Sequence, residues 1–314
     1  MSEQPTLSLL AQEAIEELLT ANDILRWAVS RFNESDVYYG HGTDNPWDEA
    51  FSLLAWGLNI GPMLNSEVLS SRLTISERKR IIDVIVARIE SKKPAAYLTN
   101  QAYFVDLPFY VDENVLVPRS PIGELIKEQF KSVIDFTPNS ILDLCTGSGC
   151  IAVACAYAFE EAYVDAADIS PDALAIADEN IHRLGVSDRV VPLLSDVFSG
   201  LGGQRYDLIV SNPPYVDAED IGDMPEEFHH EPEIGLGSGP DGLDLTRIIL
   251  KEASQYLTEQ GVLIVEVGNS MIHLVELLPT VPFNWIEFKN GGLGVFSITK
   301  SQLDEYQEVI NSTL

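Results

Sequence analysis

The spacing of apolar residues changes along this chain and divides it into three regions. Up to about residue 95, apolar positions recur at helical intervals, most clearly at Ile81, Ile85 and Ile89. The pattern predicts helices over 8–32, over 48–59, closed by Gly61-Pro62, and from Ser76-Glu77 to Pro94. The first region is therefore expected to be a helical domain.

The segment from Tyr103 to Val117 has a different pattern. Aromatic and β-branched residues replace the helical spacing, and Asp112-Glu113-Asn114 has the composition of a turn. This pattern predicts a β-hairpin that joins two domains.

From residue 120 onward, apolar strands alternate with helical segments. Strands are predicted over 140–145, 163–168, 189–194, 206–211, 261–267, 283–288 and 294–299. Helices are predicted near 120–135, 149–159, 171–184, 244–258 and 269–278. This alternation predicts an α/β domain with a mainly parallel sheet, helices on both faces and a final antiparallel hairpin at one edge. The predicted boundaries are 1–95 for the helical domain, 96–118 for the hairpin linker and 119–314 for the α/β domain.

Polar residues follow four consecutive strands of the predicted sheet. The first strand leads from Asp143 into the glycine-rich turn 145–149, and the next three end at Asp168, at Asp196 and before Asn212. The carboxyl ends of parallel strands meet at one edge, where open α/β sheets bind their ligands. We therefore expect a single site along this edge.

The glycine-rich turn predicts a nucleotide-like ligand, because strand, turn and helix bring backbone N–H groups close to it. Gly147 and Gly149 leave room where such a ligand lies closest. Asp143 disfavours a pyrophosphate and suits an ammonium or sulfonium charge. Asp168 stands where an acid binds ribose hydroxyls, or alternatively caps the next helix, for which Ser170 is better suited. Asp196 either faces an adenine amino group or is an ordinary turn residue.

The tetrapeptide Asn212-Pro213-Pro214-Tyr215, called the cup below, is the most specific motif. Two prolines fix φ and lack N–H groups, so the cup presents carbonyl oxygens, the Asn212 amide and an aromatic ring in one shape. Such a surface suits a planar NH2 group, whose hydrogens are accepted by oxygens while the ring packs on its face. An adenine amino group and a glutamine amide fit it equally.

Together these motifs resemble the class I S-adenosylmethionine-dependent methyltransferases that act on amide or amino nitrogen. Within that class the chain resembles the protein N5-glutamine methyltransferases over essentially its full length. The resemblance implies a Rossmann-like seven-strand domain preceded by a small helical substrate-recognition domain and a β-hairpin linker. Pro118-Arg119-Ser120-Pro121 is similar to the branch acting on ribosomal protein L3, whereas the release-factor branch has Pro-Glu-Thr-Glu after the arginine.

The resemblance also implies roles for individual residues. S-adenosylmethionine is expected to contact Asp143, Cys145, Thr146, Gly147, Ser148, Gly149, Asp168, Asp196, Val197 and Asn212. Asn212, Pro213 and Tyr215 are the expected catalytic residues, and the substrate amide is expected between the cup, including Pro214, and Phe104. Val197 stands where the release-factor branch often has tryptophan.

Charge and cysteine content narrow the possible partners. A net charge of -30 opposes binding to phosphate backbones. The acidity either serves solubility or favours a basic protein partner. We therefore expect L3 as substrate, no direct DNA binding and, without an apolar span or secretory signal, a cytoplasmic protein. The three cysteines, spaced five apart, match no zinc or disulfide pattern and predict small buried side chains and no metal.

Several alternatives stay open at this point. Release-factor glutamine methylation, DNA adenine-N6 methylation and a non-catalytic assembly factor that binds through residues 1–95 are the competing functions. His229 and His230 are weak candidates for a general base, since amide methylation does not demand one. Arg119 either contacts acidic substrate groups or pairs with a local carboxylate.

Overall fold

The computed structural model describes residues 6–61 and 64–314, which form two compact units. The first unit contains the described residues up to Gln101 together with Pro225–His230. The second contains Ala102–Met224 and Glu231–Leu314. The chain therefore leaves the second unit once, contributes six residues to the first, and returns.

The first unit is helical, as its apolar spacing predicts. Its helices are α1 (Leu7–Glu17), α2 (Ala21–Glu34), α3 (Pro46–Gly57), α4 (Ser66–Ser70), α5 (Ile75–Ser91) and α6 (Ala95–Thr99). Ile24, Leu53, Ile81 and Ile85 are fully buried in their shared core, because α2, α3 and α5 each turn an apolar stripe inward. Pro62, predicted to close the second helix, lies outside the described residues.

Two helix starts differ from the prediction because capping boxes decide them. The single helix predicted over 8–32 is two helices, since Thr20 accepts a hydrogen bond from Asp23 N at 3.1 Å and starts α2. The Asp23 carboxylate accepts from Thr20 N in return. Thr74, rather than Ser76, caps α5 through the same exchange with Glu77. Each exchange satisfies backbone donors that a helix start otherwise leaves unpaired.

The β-hairpin is present, but its turn lies earlier than predicted. Strands β1 (Ala102–Phe104) and β2 (Leu107–Phe109) pair antiparallel around Val105 and Asp106, at φ 49° and 63°. Valine rarely adopts positive φ, so the residue types gave no sign of a turn there. The predicted turn at 112–114 is a local loop in which Asp112 Oδ1 accepts from Asn114 N at 2.9 Å.

The second unit contains the predicted seven-strand sheet. Its strands are β3 (Ser140–Leu144), β4 (Tyr163–Asp168), β5 (Val190–Leu194), β6 (Tyr206–Ser211), β7 (Leu257–Glu266), β8 (Asn284–Trp285) and β9 (Val295–Thr299). They are arranged in the order β5-β4-β3-β6-β7-β9-β8, with the first five parallel and β9 antiparallel to both neighbours. The Rossmann-like α/β fold with a preceding helical region is confirmed.

Helices cover both faces of this sheet. They are α7 (Ile122–Lys127), α8 (Cys150–Ala158), α9 (Pro171–Arg183), α11 (Asp244–Glu252), α12 (Met271–Leu277) and α13 (Lys300–Thr313). The short helix α10 (Ala218–Asp223) has no buried residue. Successive residues of β6 point to opposite faces, so Leu208 and Val210 pack with α7 and α8 while Ile209 packs with α11 and α13.

Three boundaries in this unit depart from the prediction. Helix α7 ends eight residues early, because Gln129 and Phe130 take positive φ and Phe130 turns fully into the core. Helix α11 ends at Glu252, and β7 begins at Leu257 rather than at 261. Helix α13 was not predicted at all, although Thr299 and Gln302 form its capping box.

Candidate active site

The strand register brings the predicted site residues to one edge of the sheet. Leu144, the last residue of β3, lies opposite Ala167 of β4 and Ser211 of β6. Ser211 Oγ donates a hydrogen bond to the Leu144 carbonyl oxygen at 2.9 Å, which joins the two strand ends. The glycine-rich turn 145–149 and the cup therefore start from neighbouring positions.

Asp143 braces the glycine-rich turn from inside the protein. It is fully buried, and its Oδ2 accepts from Thr146 Oγ1 at 2.5 Å and from Ala152 N at 3.0 Å. Desolvation raises the pKa of Asp143 to about 7, opposed by these two hydrogen bonds. Its Oδ1 has no hydrogen-bond partner among the described residues. Asp143 thus ties the strand, the turn and the first turn of α8 together.

Asp168 holds the same turn from the neighbouring strand. Its Oδ2 accepts from Gly147 N and its Oδ1 from Ser170 N, each at 2.9 Å. Ser170 itself caps α9 by accepting from Ala173 N. The helix cap is therefore Ser170, and the Asp168 carboxylate spans the two loops at the sheet edge.

The two glycines of the turn have different reasons for lacking a Cβ. Gly147 has φ 53°, and a Cβ there would meet nothing within 4 Å, so this position borders open space. At Gly149, with φ 78°, a Cβ would lie 3.2 Å from the Cβ of Ala177 in α9. Gly147 leaves room for a ligand, whereas Gly149 lets α8 approach α9.

Cys145, Asp196 and Val197 complete the sequence-predicted cofactor positions. Cys145 is partly exposed, unlike Cys150 and Cys155, because the turn starts there at φ 59°. Desolvation raises the pKa of the Cys145 thiol, and the carboxylates of Asp168 and Asp143 raise it further. Asp196 is exposed, while Val197 is buried in the core beside it. Negative charge therefore concentrates where the turn begins.

The cup follows β6 directly and contains an unsatisfied oxygen. Pro213 and Pro214 are buried, and Asn212 Oδ1 is shielded from solvent without a hydrogen-bond partner among the described residues. A buried acceptor without a donor costs about 1–3 kcal/mol. A bound ligand that donates a hydrogen bond to this oxygen would remove that cost.

Tyr215 is held at three points. Its hydroxyl donates to Glu266 Oε1 at 3.0 Å, and its carbonyl accepts from Ser270 Oγ at 2.8 Å. Gly268 lies against the ring edge, where a Cβ would come within 2.5 Å of Tyr215 Cε2. Desolvation, and then the charge of Glu266, raises the pKa of Tyr215, so the phenol stays protonated.

Arg119 pairs with a local carboxylate, which is one of its two predicted roles. Its Nη1 and Nη2 donate to Glu231 Oε1 and Oε2 at 2.5 and 2.6 Å, and Glu231 also accepts from Val117 N. His229 is exposed, and a ring nitrogen of His230 lies 3.1 Å from the Ser91 carbonyl oxygen within the first unit.

Phe104 lies in the hydrophobic core rather than at an open surface. It is 6% exposed and packs with Phe109, Ile122 and Ile126, and its ring borders Gly123. This placement gives Phe104 a packing role. Its expected contact with the substrate stays a prediction.

Three polar residues that support the site were missed at the sequence level: Glu266, Ser120 and Asn180. Glu266 ends β7, so the rule that polar residues at strand ends mark the site also applies to it. Ser120 donates to the Glu266 carboxylate. Asn180 is fully buried and donates to the carbonyls of Ser148 and Tyr110. It occupies a position on the otherwise apolar buried face of α9, which is the pattern that marks it.

Comparisons with known proteins identify similar methyltransferases. Residues 124–233 match the family described as Methyltransferase small domain. The chain is 46% identical over 299 residues to the ribosomal protein uL3 glutamine methyltransferase of Francisella tularensis, covering 95% of each chain. It is 47% identical over 293 residues to the protein of the same name from Neisseria gonorrhoeae, covering 93% of this chain and 98% of that one.

Among solved structures, the hMettl16 catalytic domain in complex with MAT2A 3'UTR hairpin 6 is similar. The aligned region covers 75% of this chain and 85% of the hMettl16 chain, at 17% sequence identity and a TM-score of 0.49.

Proposed function

The chain belongs to the family of ribosomal protein uL3 glutamine methyltransferases, and we propose that it uses S-adenosylmethionine to methylate a glutamine side-chain amide of that ribosomal protein. The observation that carries the proposed chemistry is the buried Asn212 Oδ1 at the carboxyl edge of the sheet, which has no hydrogen-bond donor among the described residues. This supports a role for Asn212 Oδ1 as an acceptor toward a ligand in the cup. A glutamine amide supplies a donor hydrogen from a planar NH2 group.

The residues around the glycine-rich turn fit the methyl donor. Gly147 borders open space, and the carboxylates of Asp168 and Asp196 place negative charge near the turn. S-adenosylmethionine carries its methyl group on a sulfonium cation, which such a field favours. We assign the donor to the turn 145–149 with Asp143, Asp168, Asp196, Val197 and Asn212.

Asn212 and Pro213 have the central role toward the substrate amide. An amide nitrogen is a poor nucleophile because its lone pair is delocalised into the carbonyl group. Hydrogen bonds from the amide N–H groups to Asn212 Oδ1 and the Pro213 carbonyl hold the nitrogen in place and strengthen as it becomes positive. This is transition-state stabilisation by preorganised acceptors. Tyr215 packs against the amide plane, and the released proton passes to water.

We also assign roles to the two main regions of the chain. Residues 1–95 are assigned to recognition of the protein substrate and residues 119–314 to catalysis. The net charge of -30 favours a basic ribosomal protein over DNA, since phosphate backbones are bound mainly by lysine and arginine. A ribosomal substrate favours a cytoplasmic reaction. No helix among the described residues is long and apolar enough to cross a membrane.

A panel of acceptors tests the substrate assignment. Purified protein is incubated with isotope-labelled S-adenosylmethionine and, separately, with L3, a release factor and plasmid DNA. We expect one added methyl group on a glutamine amide of L3, located by tandem mass spectrometry. Label on the release factor or on adenine, with none on L3, would refute the assignment.

A further inference from the structure

Glu266 is a buried acid that the proposed reaction does not use. It ends β7, one residue beyond Val265, which lies opposite Ser211, the residue before the cup. Its side chain is 4% exposed, in a position where an apolar residue would avoid desolvation. A buried carboxylate at this position therefore calls for a specific explanation.

Both oxygens of Glu266 are engaged by hydroxyl donors from two different segments. Oε1 accepts from the Tyr215 hydroxyl at 3.0 Å, and Oε2 accepts from Ser120 Oγ at 2.5 Å. Ser120 follows Arg119, which is bound at both guanidinium ends by the buried Glu231. Glu266 thus links the cup to a segment that is itself held by a two-point ion pair.

Tyr215 needs this link to keep one ring orientation. Its backbone is fixed by Ser270, and Gly268 blocks the ring from one edge. These contacts act on the backbone and on one edge of the ring. The hydrogen bond to Glu266 holds the hydroxyl end of the side chain.

We propose that Glu266 is a positioning residue, which acts through the Tyr215 hydroxyl to hold the aromatic face against which the substrate amide packs. This inference rests on the proposed function of the cup. A ring that is free to turn lets the amide nitrogen leave the in-line geometry, and misplacement of about 1 Å can cost about 100-fold in rate. We expect a lower kcat rather than weaker binding of the methyl donor, because Glu266 is not part of the glycine-rich turn.

The test compares Glu266→Ala, Glu266→Gln and Tyr215→Phe, singly and combined, with Glu259→Ala as the control. Glu259 lies on the same strand but is exposed. We expect Glu266→Ala to lower kcat for L3 methylation by about 10- to 100-fold, with donor affinity within about threefold. Glu266→Gln, which keeps the shape and one acceptor, should recover most of kcat, and Glu259→Ala should match wild type.

The double variant tests whether Glu266 acts through Tyr215. In the Tyr215→Phe background, Glu266→Ala should lower kcat by much less than it does in wild type, because the hydrogen bond is already lost. Unchanged kcat in Glu266→Ala, or fully multiplicative losses in the double variant, would overturn the positioning role.

A measurement without turnover separates this inference from the proposed function. With fluorotyrosine incorporated, the Tyr215 signal is identified by its loss in Tyr215→Phe. A single sharp fluorine resonance in wild type and Glu266→Gln, broadened or split in Glu266→Ala, supports the positioning role. An unchanged resonance in Glu266→Ala contradicts it. Absence of wild-type transfer to L3 would refute the proposed function alone.

Discussion

At the scale of single residues, the site depends on an acceptor oxygen without a donor among the described residues and on a glycine that packs against an aromatic ring. Asn212 Oδ1 has no donor in the part of the chain that the structure describes, and Gly268 leaves no space beside the Tyr215 ring. The cup itself was predictable, because two prolines after a buried strand fix its shape. The unpartnered oxygen was not, since it depends on how neighbouring strands surround the side chain.

Gly268→Ala should impair catalysis through Tyr215. The added Cβ would lie 2.5 Å from Tyr215 Cε2, so the ring must move, and we expect kcat to fall by about tenfold or more. Gly291→Ala is the matched control, because Gly291 also has positive φ but a Cβ there meets nothing within 4 Å. Both variants carry the same kind of backbone strain. Equal kcat values in the two would show that the contact with Tyr215 is unimportant.

At the scale of elements, the parallel sheet was predictable and several loops were not. Strands β3 to β6 are short, mainly apolar segments bounded by turn residues, which is a strong signal. The hairpin turn at Val105-Asp106 was missed, because tertiary packing imposes positive φ on residues that do not favour it. Helix α13 was missed although its Thr299–Gln302 capping box is readable in the sequence.

The buried Asp143, which connects β3, the glycine-rich turn and α8, should make the unfolding free energy depend on pH. Burial raises the pKa of Asp143 from 3.8 to about 7, so between these values the folded protein holds a proton that the unfolded chain has released. The stabilisation is complete below the lower value and is lost as pH rises through the upper one.

The comparison with Asp143→Asn isolates this effect. The unfolding free energy of wild type, relative to the variant, should fall by on the order of 4 kcal/mol as pH rises from about 4 to about 8. Denaturant titrations at several pH values measure it. Asp172→Asn removes an exposed carboxylate from α9 and should show a flat difference. If the difference in unfolding free energy between wild type and Asp143→Asn also stays constant with pH, burial does not raise the pKa of Asp143.

At the scale of the whole molecule, the chain path after the cup is the feature that the sequence did not reveal. The segment Pro225–His230 belongs to the helical unit, although it is flanked by residues of the sheet unit. Within the helical unit, Glu227 is buried, accepts from Tyr38 N at 2.8 Å and lies 3.5 Å from Arg88. Arg88 is also buried and donates to Glu49 at 2.6 Å. Sequence separation of 139 residues between Arg88 and Glu227 hides this pairing from any local pattern.

Glu227→Ala should destabilise the helical unit strongly. It leaves Tyr38 N–H without its acceptor and removes one carboxylate from the buried Arg88, which costs about 3 kcal/mol or more in comparable buried pairs. Glu226→Ala is the adjacent control: its pair with Lys92 is exposed, and the expected cost is below about 1 kcal/mol. Hydrogen exchange of α5 and of the 225–230 segment, with denaturant unfolding, measures both. Similar losses in the two variants would argue against a buried ion-pair role.

The central claim is that Asn212 holds the amide nitrogen that receives the methyl group, and Asn212→Ala tests it most directly. Transfer to L3 and S-adenosylmethionine affinity are measured in parallel, with Asn311→Ala, an exposed asparagine in α13, as the control. We predict loss of transfer by at least about 100-fold with a much smaller loss of donor affinity, because the variant removes an acceptor that acts on the transition state while the other assigned donor contacts stay in place. Normal turnover in Asn212→Ala would contradict the role of the cup.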